Sequence, residues 1–484
     1  MRPGCVALVT GERKLLLAGA LGLTAALAVF VAISHAFAYE IPWTDRPTAA
    51  LVAIMMAAGL AYLGLVAAQS RTGLQRAWFG GLIALGMALR AAMLFSTPVY
   101  EDDFYRYFWD GALVAKGLNP YAHAPNDVLP VDFPPAEAGV ATDDAPAGLK
   151  DLAGEPGVAR VPYPSLKTIY PPAAQAFFWL SHTIAPWNLT AWRLILLAVD
   201  AVTLLLLMKL LAQLGRARHW SLIYWLNPLA LTEIHNAGHM DVLLLPFLLA
   251  AVLFALRRRF ALGGVALAGA VGVKFWPVIL APLLFRPLLA QPRKLAAAAL
   301  PFGVLVCLLV SPQLLTKLDE TSGLAAYTLD WQTNAFLFPL IERTIGMLAP
   351  GDGAGLFEPN ILAKLTIGGL VVASALWLAR HPFGGNDGPV AACLAVTALL
   401  FFVSPTGYPW YAIWFLPWLA VYPHPALLPL TVTLPLYDLR YPLQLGGQQE
   451  LFEALIVPLQ FLPSLIILAY ETTRKARRRA AIAG

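Results

Sequence analysis

Apolar runs long enough to cross a lipid bilayer, or to dip into it, recur along the whole 484-residue chain. A transmembrane helix needs about 20 mainly apolar residues, and several of the runs reach that length. Only 13% of the residues are charged and 59% are hydrophobic, whereas soluble domains carry about 25% charged residues. Two or three soluble domains of this composition could not cover their cores with polar surface. We therefore predict a polytopic membrane protein of the all-α class.

The apolar runs differ in length and in proline content. They lie at roughly 15–37, 48–69, 78–95, 172–185, 190–214, 220–235, 240–256, 261–285, 295–311, 335–348, 361–379, 389–404, 409–422, 425–438 and 451–470. The runs at 172–185 and 335–348, and the run that contains Pro277 and Pro282, suit re-entrant or tilted half-helices better than full spans. We expect about 12–14 transmembrane or re-entrant helices in all.

Lysine and arginine residues between the runs predict the orientation of the chain. Cytoplasmic loops are enriched in these residues, and they cluster at Arg13/Lys14, Arg71/Arg76, Arg216/Arg218, Arg257/Arg258/Arg259, Arg293/Lys294 and Arg474 to Arg479. If these clusters are cytoplasmic, the loops at 96–171, 235–241 and 312–334 lie on the opposite side. An excess of 33 Lys and Arg over 28 Asp and Glu is too small for a nucleic-acid-binding protein. The expected partners therefore include membrane lipids and no nucleic acid.

The loop at 97–170 is the only large polar segment, and it begins with the pattern of an amphipathic helix at 102–116. Helical spacing places Asp102, Arg106 and Trp109 on one face and Asp103, Tyr107 and Asp110 on the next. Phe104 and Phe108 lie on a side that can face lipid. We predict an interfacial helix that directly follows the third span.

Three adjacent carboxylates, Glu101, Asp102 and Asp103, stand at the N-terminus of this predicted helix. The helix dipole and an ion pair between Asp102 and Arg106 would account for one or two of them. A third carboxylate adds repulsion, and the neighbouring Tyr and Trp side chains are of the kind that stack on sugars. A structural role and a role in acid–base catalysis are both compatible with this pattern.

Further charged and imidazole side chains interrupt the apolar pattern. Lys274 lies in an apolar stretch, where a charge is costly and indicates function unless it snorkels to an interface. His235 and His239 have the i,i+4 spacing of metal ligands, but Asn236 stands where the zinc-protease signature has Glu, and Gly238 disfavours a continuous helix. A metal site is therefore the less favoured interpretation of this turn.

Two other groups have mainly structural interpretations. Tyr408, Trp410 and Tyr411 lie at the end of a predicted span, where an aromatic belt is expected in any membrane protein. Arg193 and Asp200 are seven residues apart on one helix face, which predicts a buried structural ion pair.

Several short motifs, in their order and predicted sidedness, carry a family resemblance. They are EDDFYRYFWDGALVAKGLNPY from Glu101, Ile169-Tyr170-Pro171-Pro172, Asn227-Pro228-Leu229, Gly238-His239-Met240-Asp241, Val273-Lys274-Phe275-Trp276-Pro277, and Ser404-Pro405-Thr406 with Pro409-Trp410-Tyr411. The chain resembles the GT-C superfamily of integral-membrane glycosyltransferases over about 95–435, and in particular bacterial mannosyltransferase-like members that use a polyprenyl-phosphate sugar. The resemblance implies a catalytic transmembrane core at 78–438 that includes the extracytoplasmic catalytic loop 97–170. It also implies two added transmembrane helices at 1–77, and a last transmembrane helix with a basic cytoplasmic tail at 439–484.

The resemblance implies an inverting hexosyltransferase, with mannose as the expected sugar and a lipid-linked or cell-envelope glycan as acceptor. It also implies a location in the bacterial cytoplasmic (inner) membrane, with the active site facing the periplasm or exterior. A carboxylate acts as general base on the acceptor hydroxyl, and inversion needs no enzyme nucleophile. An Asp in a wet interfacial cleft should stay ionised near neutral pH without special tuning. No cofactor is predicted, although adjacent carboxylates leave a divalent cation as an alternative.

The resemblance also implies roles for individual residues at the positions that match the motifs of the family. The acidic pair of the family corresponds to Asp102 and Asp103 as base and partner, with Glu101 as a third candidate. Expected contacts to the donor phosphate are Arg106, Lys274, His239 and Tyr408, and many relatives have His where this chain has Tyr408. Expected residues of the substrate cavity are Tyr105, Trp109, Asn119, Tyr121, Tyr170, Glu233, Asp241, Trp410 and Tyr411.

Two functions without transferase chemistry are the main alternatives. Intramembrane Lys274 and Arg193 would suit a secondary transporter, but transporters usually have internal repeats and midplane binding groups. A flippase of lipid-linked sugars could keep the same fold without catalysis. Replacement of both Asp102 and Asp103 by Asn distinguishes them, because an enzyme would lose transfer while a flippase need not lose function.

Overall fold

The structure is a computed structural model that describes residues 3–71, 76–129, 146–316, 319–348 and 358–483. Across these ranges the chain is helical, and no β-strand is formed. Four of the basic side chains used to predict the orientation, those of Arg71, Arg76, Arg478 and Arg479, lie outside the described residues, as does the part of the polar loop at 130–145.

Short 3₁₀ turns lie between several of the α-helices. In the first part of the chain they are α1 (Pro3–Ser34), α2 (Thr48–Arg71), α3 (Arg76–Met93), α4 (Asp103–Ala115), α5 (Ala147–Lys150), α6 (Pro172–Ile184), α7 (Leu189–Gln213), α8 (Leu222–Trp225), α9 (Pro228–His235), α10 (Leu245–Leu256) and α11 (Phe260–Val273). In the second part they are α12 (Ala281–Phe285), α13 (Pro292–Leu314), α14 (Gly323–Leu329), α15 (Phe338–Leu348), α16 (Pro359–Arg380), α17 (Gly388–Val403), α18 (Leu416–Val421), α19 (Leu430–Thr433), α20 (Arg440–Leu445), α21 (Gln449–Leu451) and α22 (Val457–Ala483).

Six helical segments among the described residues are long and apolar enough to cross a membrane. They are Gly11–Phe37, Thr48–Ser70, Leu189–Gln213, Pro292–Leu314, Pro359–Arg380 and Gln449–Arg477. A bent pair of helices and four shorter apolar helices accompany them. The predicted class, an all-α polytopic membrane protein, is confirmed.

The bent pair replaces two straight spans that the sequence predicted at 220–235 and 240–256. The first run breaks at Pro228, because proline has no N–H to continue a helix. The Asn227 side chain then caps the new helix α9 by accepting a hydrogen bond from the backbone N–H of Leu229 at 3.0 Å. The chain then bends by 106° between α9 and the segment Met240–Leu256. Because α9 has only eight residues, it rises about 12 Å and cannot span a bilayer alone.

The predicted interfacial helix forms as α4, but its surroundings differ from the prediction. Phe104 and Phe108, expected to face lipid, are 5% and 3% exposed. A polar-loop segment covers the helix, and Arg106 holds it there by donating to the carbonyls of Pro162 (2.7 Å) and Leu166 (2.9 Å). The predicted Asp102–Arg106 ion pair is therefore wrong, because backbone carbonyls take up the guanidinium.

On the other side, α4 packs closely against α6. A Cβ atom at Gly111 would overlap the carbonyl oxygen of Phe178, so only glycine allows the two backbones to approach this closely. The helix is therefore fixed between α6 and the covering loop, and its N-terminus has a defined position.

The predicted Arg193–Asp200 ion pair is also wrong. Asp200 instead accepts from Arg90 at 2.7 Å and lies 2.9 Å from His235, with both of these side chains fully buried. Arg193 donates to backbone carbonyls, including that of Ser96 at 2.9 Å. Because His235 is held by Asp200, it does not share a metal site with His239.

Candidate active site

A cavity of about 830 Å³ opens beside the N-terminus of α4. Its wall combines the segment before α4, the bend after α9, the residues that follow α11, and the segment at 404–411. The predicted site residues that line it are Glu101, Asp102, Asp103, Tyr105, Tyr170, Asp241, Lys274, Tyr408, Trp410 and Tyr411. Long-range folding thus brings together motifs that are more than 300 residues apart in the chain.

The remaining predicted residues lie outside the cavity wall. Arg106 is held by the polar loop, and Trp109 is fully buried in a small apolar cluster beneath that loop. The Asn119 side chain accepts the backbone N–H of Tyr121 at 3.0 Å, and the Tyr121 hydroxyl donates to the carbonyl of Tyr170 at 2.9 Å. These two residues therefore support the wall from behind, and Glu233 and His239 form a second layer described below.

The three adjacent carboxylates occupy different environments. One oxygen of Glu101 accepts the backbone N–H groups of Asp102 (3.2 Å) and Asp103 (3.0 Å), so Glu101 caps α4. Among the described residues no other side chain donates a hydrogen bond to the carboxylates of Asp102 and Asp103, and Asp102 is met only by its own backbone N–H. Both side chains line the cavity. The ordinary structural explanation for acidic residues at a helix N-terminus therefore applies to Glu101 and leaves the other two unexplained.

His239 lies behind Glu101 and is 1% exposed. Its Nε2 atom is 3.2 Å from Glu101 Oε2 and 3.4 Å from Glu233 Oε2, and its ring stacks on Trp410 with centroids 3.9 Å apart. An imidazolium here would balance the charge of these carboxylates, and the stacking fixes its orientation.

One grouping in the described part of the chain has the composition of a metal site. Glu101, Asp103 and His239 each bring one ligand atom within 4.8 Å of the others. The same His239 nitrogen is already placed between Glu101 and Glu233, so an ion pair accounts for the arrangement. The preference for a metal-free site stays a prediction.

Lys274 forms the centre of a second polar contact in the wall. Its Nζ donates to Asp241 Oδ1 at 2.7 Å, and the indole N–H of Trp414 donates to the same oxygen at 2.5 Å. The ammonium also lies 4.3 Å from the ring centroid of Tyr411. Lys274 is thus neutralised by Asp241 and held by aromatic rings, instead of standing free to meet a phosphate.

Three cavity cations were missed by the sequence analysis: Arg46, Arg160 and Arg440. Arg160 is paired with Glu40 at 3.6 Å. Arg46 donates to backbone carbonyls of its own loop, and Arg440 donates to Gln444 (3.1 Å) and to the Tyr437 hydroxyl (2.6 Å). Among the described residues no carboxylate pairs with Arg46 or Arg440.

These two unpaired arginines flank one stacked pair of rings. Tyr100 and Tyr441 stack with centroids 3.9 Å apart, and Tyr100 immediately precedes the acidic residues. The Arg46 guanidinium lies 5.4 Å from the Tyr100 ring and that of Arg440 5.6 Å from the Tyr441 ring. The same cavity therefore contains two guanidiniums beside aromatic rings as well as the carboxylates of Asp102 and Asp103.

The pKa values of Asp102 and Asp103 are raised above the usual carboxylate range. Burial in the cavity wall is the main cause, and repulsion from Glu101 adds to it. The pKa of Asp103 rises to about 7, although the positive charges of His239 and Lys274 lower it in part. The Asp102 side chain is exposed to the cavity, so water limits the change there. The raised pKa of Asp103 differs from the expectation that an Asp in a wet interfacial cleft stays ionised near neutral pH without special tuning.

Comparison with known proteins identifies one family. The model of a family described as alpha-(1->6)-mannopyranosyltransferase, N-terminal domain, matches residues 9–143 and 162–289, slightly more than half of the chain. The curated alpha-(1->6)-mannopyranosyltransferase A of Mycobacterium tuberculosis (strain ATCC 25618 / H37Rv) is 25% identical over 355 residues, which cover 67% of this chain and 62% of that protein. No solved structure matches the chain. The predicted resemblance to GT-C mannosyltransferases is confirmed.

The family match covers one part of the cavity wall and not the other. It includes the acidic residues at 101–103 together with Asp241 and Lys274. It also includes the loop that carries Arg46, whereas Arg440 and the segment at 404–411 lie beyond it.

Proposed function

The chain belongs to the alpha-(1->6)-mannopyranosyltransferase family, and on that premise we propose that it is an inverting glycosyltransferase. It moves mannose from a polyprenyl-phosphate carrier to a lipid-linked or cell-envelope glycan. The observation that carries this proposal is the pattern of charge pairing in the cavity. Within the described part of the chain, Asp102, Asp103, Arg46 and Arg440 of this cavity form no ion pair, which matches a reaction that needs a base and releases a phosphate.

The linkage in the family description constrains the donor. An α-linked product formed with inversion at C1 requires a donor in which the phosphate is β-linked. The acceptor hydroxyl oxygen at C6 attacks C1 of the mannose, and the bond between C1 and the phosphate oxygen breaks. The hydroxyl proton passes to an enzyme carboxylate, and the electron pair of the broken bond leaves with the polyprenyl phosphate.

Asp103 is the proposed base and Asp102 its partner. Asp103 is the less exposed of the two and lies among His239, Lys274 and Glu101, whereas Asp102 is exposed toward the cavity space. A raised pKa is suitable for a general base, because proton acceptance is favoured while much of the group stays ionised near neutral pH. Glu101 positions this base by capping α4 and pairing with His239.

Arg440 and Arg46 are the proposed contacts of the donor phosphate. Each guanidinium retains N–H groups that no described residue accepts, and arginine matches phosphate oxygens in geometry as well as charge. Arg106 and Lys274, the cations that the sequence favoured, already have backbone or carboxylate partners. Tyr408 remains available as a hydroxyl donor on the same wall.

The proposed membrane placement follows the distribution of basic residues. With the basic loops in the cytoplasm, the cavity faces the periplasm or exterior of a bacterial cytoplasmic membrane. A lipid-anchored donor would then present its C1 atom near that interface. In this arrangement the core at 78–438 carries the carboxylates, while the flanking segments 1–77 and 439–484 contribute the proposed phosphate contacts Arg46 and Arg440.

The test is a transfer assay with purified protein in lipid nanodiscs. Radiolabelled polyprenyl-phosphate mannose, and the glucose analogue in parallel, would be supplied with an envelope lipid extract as acceptor. We expect label from mannose in a new product, and transfer that survives EDTA. The Asp103→Asn and Asp102→Asn variants should lose transfer while they keep donor binding.

A matched control uses Asp151, which pairs with Lys116 on the surface and is 61% exposed. The Asp151→Asn variant should transfer normally. Donor binding without transfer by the folded wild-type protein would contradict the proposal and favour a transporter or flippase. Loss of transfer in EDTA would instead indicate that Glu101, Asp103 and His239 hold a metal ion.

A further inference from the structure

A second cavity, of about 870 Å³, lies away from the acidic residues. It is formed by α10, α11 and α12 with the first turns of α13 and α17, and its walls are mainly apolar side chains such as Leu248 and Leu283. We call this cavity the basal groove. Its volume is toward the upper end of the roughly 300–1,000 Å³ that is typical of ligand sites.

The basal groove and the candidate active site lie toward opposite ends of α11. This helix begins at Phe260, which lines the groove, and ends immediately before Lys274 of the active-site wall. Its 14 residues rise about 20 Å. The groove therefore belongs to a different membrane depth from the carboxylates.

Three cations line the groove where α10 ends and where α11 and α13 begin. They are Arg258, Arg259 and Lys294, and all three are exposed. Arg258 has a φ of 58°, in the left-handed region that few non-glycine residues occupy, so the turn between α10 and α11 is sharply defined. Within the described ranges no carboxylate forms an ion pair with any of the three.

An apolar cavity with unpaired cations at one end matches an amphiphile with an anionic head. Water has too few polar partners to fill such a space within a bilayer. Hydrocarbon chains fill it without loss, and basic residues at a membrane interface attract anionic headgroups. The donor is not the expected occupant, because its sugar phosphate has to reach the carboxylates at the other end of α11.

We propose that the basal groove is a binding site for an anionic phospholipid of the leaflet opposite the candidate active site. The phosphate lies at Arg258, Arg259 and Lys294, and the acyl chains lie along the apolar walls of α10 and α11. The three side chains provide more donors than a single phosphate needs, which allows for a headgroup with further oxygens. In the orientation proposed above this is the cytoplasmic leaflet.

Native mass spectrometry of the full-length protein would test this site with equimolar phosphatidylglycerol and phosphatidylcholine. We expect phosphatidylglycerol to be retained preferentially. The Arg258→Gln/Arg259→Gln/Lys294→Gln variant should lower that preference at least tenfold, since each cation near a membrane surface contributes about fivefold.

The matched control removes three other exposed basic charges predicted on the same side, as Arg218→Gln/Arg257→Gln/Arg293→Gln. None of these side chains lines the groove, so this variant should keep the preference. An equal loss in both triple variants would overturn the proposal, because attraction by net charge alone would then explain the binding.

A second variant tests the apolar part of the site. Ala297 is exposed on α13 and lines the groove, so Ala297→Trp should fill it while leaving all three cations in place. We expect loss of the retained phospholipid with an unchanged melting temperature. The assignment would be refuted if this variant retained phosphatidylglycerol. It would also be refuted if the groove preferred polyprenyl phosphate or a second protein copy.

Discussion

Replacement of Asp103 by Asn should change activity and stability in opposite directions. Loss of a general base typically costs 10²–10⁴-fold in rate, or about 3–5 kcal/mol of transition-state stabilisation. Asn has nearly the same shape, and the Asp103 carboxylate accepts no hydrogen bond from the described residues, so little native structure is lost. We therefore expect a protein that folds and binds donor but transfers mannose at least a hundredfold more slowly.

The effect on stability follows from the raised pKa of Asp103. A pKa of about 7 in place of 3.8 means that folding disfavours the ionised form, and a change of this size corresponds to about 4 kcal/mol. Water in the cavity screens part of this penalty, which leaves about 1–2 kcal/mol. The Asp103→Asn variant does not carry this penalty, so it should be more stable than the wild type at pH 8.

The size of this stability difference depends on pH. Below the unfolded-state pKa of 3.8 the carboxyl is protonated in both states and carries no penalty. As the pH rises toward 7, the unfolded state releases its proton first, and wild-type stability falls relative to the variant. Melting temperatures in detergent should therefore differ more at pH 8 than at pH 4.5, with the variant higher.

Glu101→Gln is the matched control, because the same charge is removed two residues away. Glu101 pairs with His239 and caps α4, so its replacement should lower the melting temperature. A lower melting temperature for Asp103→Asn at pH 8 would show that Asp103 belongs to a structural ion pair. Full activity in that variant would show that the base is another residue.

Three further results are expected. Arg440→Gln should lower kcat/KM about 10–100-fold, mainly by raising the KM for the donor. Arg106→Gln should lower the melting temperature instead, because it removes hydrogen bonds to the loop carbonyls. Equal donor KM values in the two variants would contradict the phosphate assignment. The wild-type kcat/KM should fall about tenfold per pH unit below about 7, and the residual activity of Asp103→Asn should lack this acid limb in a pH–rate profile. Asp200→Asn should destabilise the protein by about 3–5 kcal/mol in thermal unfolding, because Arg90 would lose the one carboxylate that pairs with it among the described residues. An unchanged melting temperature would refute that role.

Features encoded locally could be predicted from the sequence. Hydropathy located the long spans, and helical periodicity located α4 to within one residue at each end. The acidic residues at 101–103 were conspicuous because three carboxylates in a row have no common structural explanation. Their division into one cap and two unpaired carboxylates was not predictable, because it depends on the backbone N–H groups that Glu101 meets in the fold.

Partners that are distant in sequence could not be predicted. Arg106 has the right spacing for an ion pair with Asp102. In the fold, however, its guanidinium donates to a backbone carbonyl of the polar loop that lies 60 residues further along the chain. Arg440 had no recognisable motif. It enters the site because the chain segment after it meets Tyr100, and Tyr441 and Tyr100 are 341 residues apart. Sequence spacing therefore identified charges that matter but assigned several of them to the wrong partners.

The loop between α1 and α2 shows why this pairing matters for the chemistry. No sequence motif indicates a role for the first two helices, yet the cavity wall includes Glu40, Trp43 and Arg46 from the loop between them. Glu40 pairs with Arg160, while Arg46 faces the Tyr100 ring and pairs with no carboxylate in the ranges that the structure describes. The loop thus neutralises one arginine of the cavity and adds another, so it determines where a phosphate can find unpaired positive charge. Since the family match begins at residue 9 and runs to residue 143, this loop and the acidic residues lie in one continuous matched segment and line the same cavity.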